Sequence, residues 1–144
     1  MTELNTSHIN PAKLKSICVY CGAGPGTRPA FVQAARDLGR LLAQNKIRLV
    51  YGGGSLGLMG AIAESVVEHG GLVTGIIPDF LTAREFMFKR AQEMIITRDM
   101  HERKRLMFER ADAFVALPGG IGTLEELVEQ LTWATGLEKI QAAL

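Results

Sequence analysis

Three glycine clusters dominate the chemistry this sequence could do. They are Cys21-Gly22-Ala23-Gly24-Pro25-Gly26, Gly52-Gly53-Gly54-Ser55-Leu56-Gly57-Leu58-Met59-Gly60 and Pro118-Gly119-Gly120-Ile121-Gly122-Thr123. Glycine lets a backbone take positive φ and approach a ligand closely. A helix that follows then points its first N–H groups at an anion. One such cluster alone reads as a tight turn. Three at the same edge of one sheet favour phosphate or nucleotide binding, with Gly53, Gly54 and Ser55 as the backbone loop of the second. None is a P-loop, because no lysine follows a glycine at the required place. Gly22-Ala23-Gly24 loosely suggests a dinucleotide fingerprint, but Thr27 stands at its third glycine position. No acidic residue closes the second strand to hold a ribose hydroxyl, so NAD binding gains little support.

Beside the third cluster, Glu125 and Glu126 open a helix. Acidic residues in a first turn can simply complement the helix dipole. A carboxylate beside an anion-binding loop can also orient a water or face a developing positive charge. The two point about 100° apart on a helix, so one can be catalytic while the other faces solvent. Residues Arg84 to Arg110 hold eight of the sixteen basic residues, diluted by five acids, and most read as a solvated face. Arg103 and Lys104 sit early on a helix and could reach the ligand edge, and an arginine there would suit a phosphate. Cys18 and Cys21 form C-x-x-C, but within a strand their side chains point to different faces, and no further ligands stand at zinc spacing. Both read as buried thiols. His8, His69 and His101 are isolated, and Trp133 reads as a packing residue.

Hydrophobic periodicity supplies the elements that must hold these residues. Apolar runs at Ser16–Tyr20, Ile47–Tyr51, Leu72–Ile77, Glu93–Thr97 and Ala113–Leu117 read as strands. Helical spacing covers Arg28–Gln44, Gly57–His69, Met100–Ala111 and Gly122–Thr135. In the first of these helices Phe31, Ala35, Leu38 and Leu42 face inward, and in the last Leu124, Leu127, Val128, Leu131 and Ala134 do so. Alternation of helices with short apolar strands predicts an α/β fold: a doubly wound, Rossmann-like parallel sheet in a three-layer α/β/α arrangement. Its ligands bind beyond the carboxyl ends of the strands. Residues 1–14 read as a flexible arm and residues 15–144 as one domain.

Composition narrows the function. With 16 Lys and Arg against 15 Asp and Glu the net charge is +1, which does not favour a general polyanion binder. Near-zero charge and few aromatics also argue against a single-strand DNA-binding role. No apolar run approaches the roughly 20 residues a membrane span needs, and the polar segment Met1–Lys15 has no secretory leader pattern. Two cysteines suggest a reducing, cytoplasmic setting.

Together the motifs resemble the LOG ("Lonely Guy") family of cytokinin riboside 5′-monophosphate phosphoribohydrolases. Pro118 to Glu126 matches P-G-G-x-G-T-x-x-E, and Met100-His101-Glu102-Arg103-Lys104 resembles M-H-x-R-K. Gly52 to Gly60 looks like the family's G-G-G-x-x-G-L-M-G turn, and Val19-Tyr20-Cys21-Gly22 like its first strand end. The resemblance runs from about Lys15 to Ala134. It implies hydrolysis of the N-glycosidic bond of a cytokinin nucleotide or AMP, giving free base and ribose 5-phosphate, with no metal or organic cofactor. It further implies Glu126 and Arg103 as catalytic residues. Gly119, Gly120, Ile121, Gly122 and Thr123 would hold the 5′-phosphate with Glu125 alongside, and Glu85, Lys104 and Thr132 would be further substrate contacts. A homodimer is implied, with the Arg103 region and the last helix near its interface. An older label of such proteins, lysine decarboxylase, gains nothing from the sequence, which shows no framework for a Schiff-base lysine. After Ala134 the family's pattern of a sixth strand and closing helix gives way to Thr135–Leu144, which reads as a helix that packs in their place. That departure keeps a non-catalytic nucleotide-binding module open as the alternative.

Overall fold

A computed structural model describes residues 14–22, 28–83 and 86–134. Residues 1–13 of the expected N-terminal arm, residues 23–26 of the first glycine cluster, Thr27, Glu85 and the expected tail helix lie outside the described residues.

The elements follow the sequence pattern closely. They are β1 (Ser16–Tyr20), α1 (Pro29–Gln44), β2 (Arg48–Tyr51), α2 (Gly57–Glu68), β3 (Val73–Pro78), a single 3₁₀ turn (Asp79–Leu81), β4 (Glu93–Thr97), α3 (Met100–Arg110), β5 (Ala113–Ala116) and α4 (Ile121–Ala134). Pro29 stands at the first helical position of α1, and Gly70 follows α2. Gly70 takes φ +77°, and the Gly70 and Gly71 amides donate to the Val67 and Val66 carbonyls at 3.0 and 2.8 Å, closing the last turn.

Among the described residues the strands form one parallel sheet in the order β4-β3-β2-β1-β5. The chain steps outward from β1 to β4, then crosses back to place β5 on the other side of β1. Alternation along the strands separates two cores. Val19, Cys21, Leu49, Tyr51 and Val73 pack under α1 and α2 with Ala35, Leu42, Leu58, Ile62 and Val66. Cys18, Tyr20, Val50, Ile76 and Phe114 face the other way, onto Met107, Phe108 and Ala111 of α3, with Trp133 of α4 packed against them. Fully burying each such aliphatic side chain is worth about 1.5–3 kcal/mol. Cys18 and Cys21 therefore do lie on opposite faces, as free thiols.

One expected core face is different. Leu127 is buried, but Leu124 and Val128 are 54% and 53% exposed. The side of α4 turned inward carries Gln130, buried to 1% exposure, and half-buried Glu126 and Glu129. A polar stripe occupies the place that periodicity assigns to leucine and valine.

Candidate active site

The chain reverses its direction of travel between β1 and β5, which opens a crevice at the carboxyl ends of these two strands. The loops leaving them are locked together. The Leu117 amide donates to the Tyr20 carbonyl at 2.8 Å, and the Gly22 amide to the Pro118 carbonyl at 3.1 Å. A Cβ on Gly22 would lie 3.3 Å from Gly119 Cα, and one on Gly119 would lie 3.0 Å from the Gly22 nitrogen. Only glycines allow this approach. The Gly22 carbonyl also accepts from the Leu58 amide in the first turn of α2 at 3.2 Å. Gly120 is the opposite case. It is exposed, and a Cβ there would meet nothing within 4 Å, so a ligand has room against it. α4 begins at the next residue, and the first N–H groups of any helix lack intrahelical acceptors.

α3 delivers the arginine. Asp99 caps the helix by accepting from the Glu102 amide at 2.8 Å, and the Glu102 carboxylate reaches back to the Arg98 amide at 3.1 Å. That amide, and then the Arg98 side chain, hold the Glu102 carboxyl below its ordinary value. From this fixed turn Arg103 runs inward and is 2% exposed. Its Nε donates to the Ile76 carbonyl at 2.9 Å and its Nη2 to the Gly52 carbonyl at 2.7 Å, with Nη1 3.6 Å from Met100 Sδ. A guanidinium is thereby fixed at the ends of β2 and β3. Any Cβ on Gly52 would fall on it.

α4 delivers the carboxylate. Glu126 lies in its second turn, and its charge acts on the end of β1. Burial is the main reason that the Cys18 thiol and Tyr20 phenol stay protonated far above neutral pH. Glu126 reinforces that effect, and the positive Arg103 opposes it. The Cys21 thiol is pushed up to about 12 by burial and then by Glu126. Neither cysteine is a thiolate nucleophile at neutral pH. A fixed cation and a carboxylate of opposite sign thus flank the last residues of β1, beside the glycine floor. The carboxylate can stabilise a cationic transition state and direct a water, and the cation can hold polar groups of a ligand.

The remaining expected residues fall out differently. Because α4 starts at Ile121, its first turn contains no acidic residue, and dipole complementation does not explain the glutamates. Glu125 pairs with Lys104 Nζ at 2.9 Å, and Lys104 also bonds Glu129. Burial pulls the Lys104 ammonium down, but its bonds to the two carboxylates outweigh this and hold it protonated. The same Lys104 bond keeps the Glu125 carboxyl low. Lys104 therefore clamps α3 to α4. The second glycine cluster has a structural task. Ser55 uses both its amide (2.9 Å) and its hydroxyl (2.5 Å) to donate to the Phe86 carbonyl, and the Phe88 amide donates to Gly53 at 2.9 Å. Tyr51 donates its hydroxyl to the Gly54 carbonyl at 2.8 Å. With its two donors so engaged, Ser55 docks the 86–88 segment. Glu85 and the side chains of Ile121, Gly122 and Thr132 lie outside the described residues.

Sequence reasoning missed two buried polar side chains beside these groups. Gln130 donates from Nε2 to the Lys104 carbonyl at 3.1 Å, and Tyr20 is 1% exposed. The signal for Gln130 was its position one turn beyond Glu126. Among the described residues no cluster of three or more His, Cys, Asp or Glu could hold a metal ion, and no helix is long and apolar enough to cross a membrane. A cavity of about 380 Å³ lies at the other edge of the sheet, lined by Arg48, Thr74, Glu93 and Arg110 among others. These four side chains bond one another in a chain that ties the strand starts together.

Comparison with known proteins shows what the chain is similar to. The family model described as possible lysine decarboxylase matches residues 59–141. The cytokinin riboside 5′-monophosphate phosphoribohydrolase LOG7 of Arabidopsis thaliana is 49% identical over 85% of this chain and 57% of its own length. The cytokinin riboside 5′-monophosphate phosphoribohydrolase of Rhodococcoides fascians is 49% identical over 83% of this chain and 61% of its own. The chain thus spans about three fifths of the length of these curated relatives. Among solved structures, the molybdenum cofactor carrier protein of Chlamydomonas reinhardtii superposes with a TM-score of 0.73, covering 92% of this chain and 91% of its own. At 20% identity that likeness is one of fold.

Proposed function

Since the chain belongs to the LOG family, whose family model carries the description possible lysine decarboxylase, we propose that it hydrolyses the N-glycosidic bond of a nucleoside 5′-monophosphate. The products are a free base and ribose 5-phosphate, and the substrates are AMP or an N6-prenylated AMP of the cytokinin type.

The observation that carries this reading is the pairing of buried Arg103 with Glu126 across the end of β1, next to the open backbone at Gly120. Departure of the base leaves oxocarbenium character on the ribose. Glu126 stabilises that charge and orients or deprotonates the attacking water. Arg103 holds the polar substituents of the substrate from the β2–β3 side. The Gly119–Thr123 loop and the first amides of α4 receive the 5′-phosphate, whose binding energy fixes the ribose far from the reacting bond. Glu125 serves this site indirectly, by fixing Lys104 and with it the α3–α4 distance. Glu85 and Thr132 stay in the proposal as substrate contacts on the strength of the motif match. Amine chemistry at Lys104 is disfavoured, because a Schiff-base lysine needs a lowered pKa and Lys104 is held protonated. The proposal includes a homodimer, supported by exposed Leu124 and Val128 four residues apart on α4, and a cytoplasmic setting, supported by two free thiols.

The test is release of base from AMP and from N6-prenyl-AMP by the purified chain. Wild type should turn over, and Glu126→Gln should lose about 10²–10³-fold in kcat while its melting curve is unchanged. A folded wild type without turnover on a broad nucleotide panel, or a Glu126→Gln variant as active as wild type, refutes the reading. Binding of AMP without turnover would instead favour a binding module.

A further inference from the structure

Tyr20 is an odd choice for its place. Its ring stacks near Phe114 at 6.3 Å between centroids and 12° between planes, and Phe108 continues the row at 5.9 Å from Phe114. Phenylalanine would supply that packing. The hydroxyl, in a residue 1% exposed, makes no oxygen or nitrogen hydrogen bond among the described residues. Its polar neighbour on the same strand face is the Cys18 thiol, a weak partner. An unmatched buried hydroxyl destabilises a fold, so its presence calls for a reason.

The placement supplies one. Tyr20 is the last residue of β1, where the β1–β5 crevice opens, and its side chain points to the face covered by α3 and α4. Glu126 and Arg103 stand within electrostatic reach of the hydroxyl. A second buried polar atom without a partner, Gln130 Oε1, lies one turn beyond Glu126 on α4. Gln130 itself is tied to α3 through the Lys104 carbonyl, which keeps this stretch of α4 from swinging away from β1.

We propose that Tyr20 is a positioning residue for Glu126, its hydroxyl donating to the carboxylate once substrate is bound. Hydrogen bonds of this kind are often long or unmade in a ligand-free site and tighten in the loaded complex. The donation orients the carboxylate toward the ribose and the water, and it favours the ionised form. The inference rests on the hydrolase reading above.

Its pH consequence has a definite sign. The ionisable groups facing the phenol are Cys18 from β1, Arg103 from α3 and Glu126 from α4, while Lys104 is engaged by Glu125 and Glu129 on the outer side. The Cys18 thiol stays neutral at working pH, so the acid limb of the rate profile belongs to Glu126. Removing a donor to the ionised carboxylate raises its pKa, and the acid limb must move to higher pH.

Tyr20→Phe tests this, assayed for base release from AMP beside wild type and Glu126→Gln. The expected result is a fall in kcat of about tenfold with KM held within about twofold. The acid limb should rise by about one pH unit, with a melting temperature equal to or above wild type. Wild-type kcat together with a wild-type acid limb in Tyr20→Phe overturns the inference while leaving the hydrolase reading intact. So does a lower melting temperature with an unmoved acid limb, which would give Tyr20 a purely structural role. Absence of base release from wild type overturns both.

Discussion

Replacing Gly52 by alanine tests the arginine without touching it. Gly52 is not among the positive-φ glycines, so its backbone accepts alanine and the effect lies in the added methyl. That methyl would fall on Arg103 Nη2, 3.2 Å from Arg103 Cζ and 3.0 Å from Met59 Cε. Met59 can move its flexible end. The guanidinium cannot yield without loss, since Ile76 and Gly52 carbonyls fix it on two sides in a buried site. The bond most directly strained is the 2.7 Å one from Nη2 to the Gly52 carbonyl. Losing a hydrogen bond to a buried charged group costs about 1.5–3 kcal/mol. If the displaced guanidinium holds the substrate in the transition state less well by that amount, kcat/KM falls about ten- to hundredfold. The assay is steady-state base release from AMP with a thermal melt on the same sample. Gly75→Ala is the matched control, because its Cβ would come within 2.6 Å of Met94 Cε and Sδ but has no Arg103 atom among its nearest neighbours. It should cost stability and spare turnover. Gly52→Ala with wild-type kcat/KM, whatever its stability, would refute the argument that the fixed position of Arg103 matters to the reaction.

Two further outcomes follow from the same geometry. Gly120→Ala should fold with wild-type stability, since its Cβ meets open space, yet raise KM for AMP about tenfold by crowding the proposed phosphate position; an unchanged KM would move the phosphate elsewhere. Lys104→Met should lower stability by about 1 kcal/mol by removing the α3–α4 clamp. Its pH dependence has two sides. Glu125 is held low, so its share is present above the ordinary glutamate value of 4.5 and fades as pH drops through the folded value. Lys104 is held high, so its share is complete below the ordinary lysine value of 10.5 and fades as pH climbs through the folded one. Melting temperatures of wild type and variant should therefore differ most at mid-range pH and converge at both extremes; a constant gap would refute the clamp.

The framework was largely legible because short apolar strands, a Pro29 start and a Gly70 stop are local signals. What could not be read depends on neighbours distant in sequence. Nothing in residues 52–60 announces that Phe86 and Phe88 will use polar groups of the second glycine cluster. Nor does the sequence announce that Lys104 will bond Glu125 and Glu129 of α4. Leu124 and Val128 obeyed helical periodicity and still turned outward, because Glu126 and Gln130 take the inner side of α4. Sequence patterning fails most where a site needs polar groups inside. Arg103 was singled out from a basic stretch by its place early in α3, but its near-complete burial could not be read from a composition that favoured a solvated face.

The anchoring of Arg103 also bears on how the chain matures. Its two carbonyl partners lie 27 and 51 residues earlier, whereas Glu126 takes its place only after β5 has crossed back beside β1. Contacts of such span close late, because each must first overcome the entropy of a long loop. During synthesis the arginine can dock on β2 and β3 while the carboxylate is still unmade. A nascent chain therefore holds its cation in position with no partner to complete the chemistry. The cation and the carboxylate of the proposed site therefore come together only once α4 has packed beside β1.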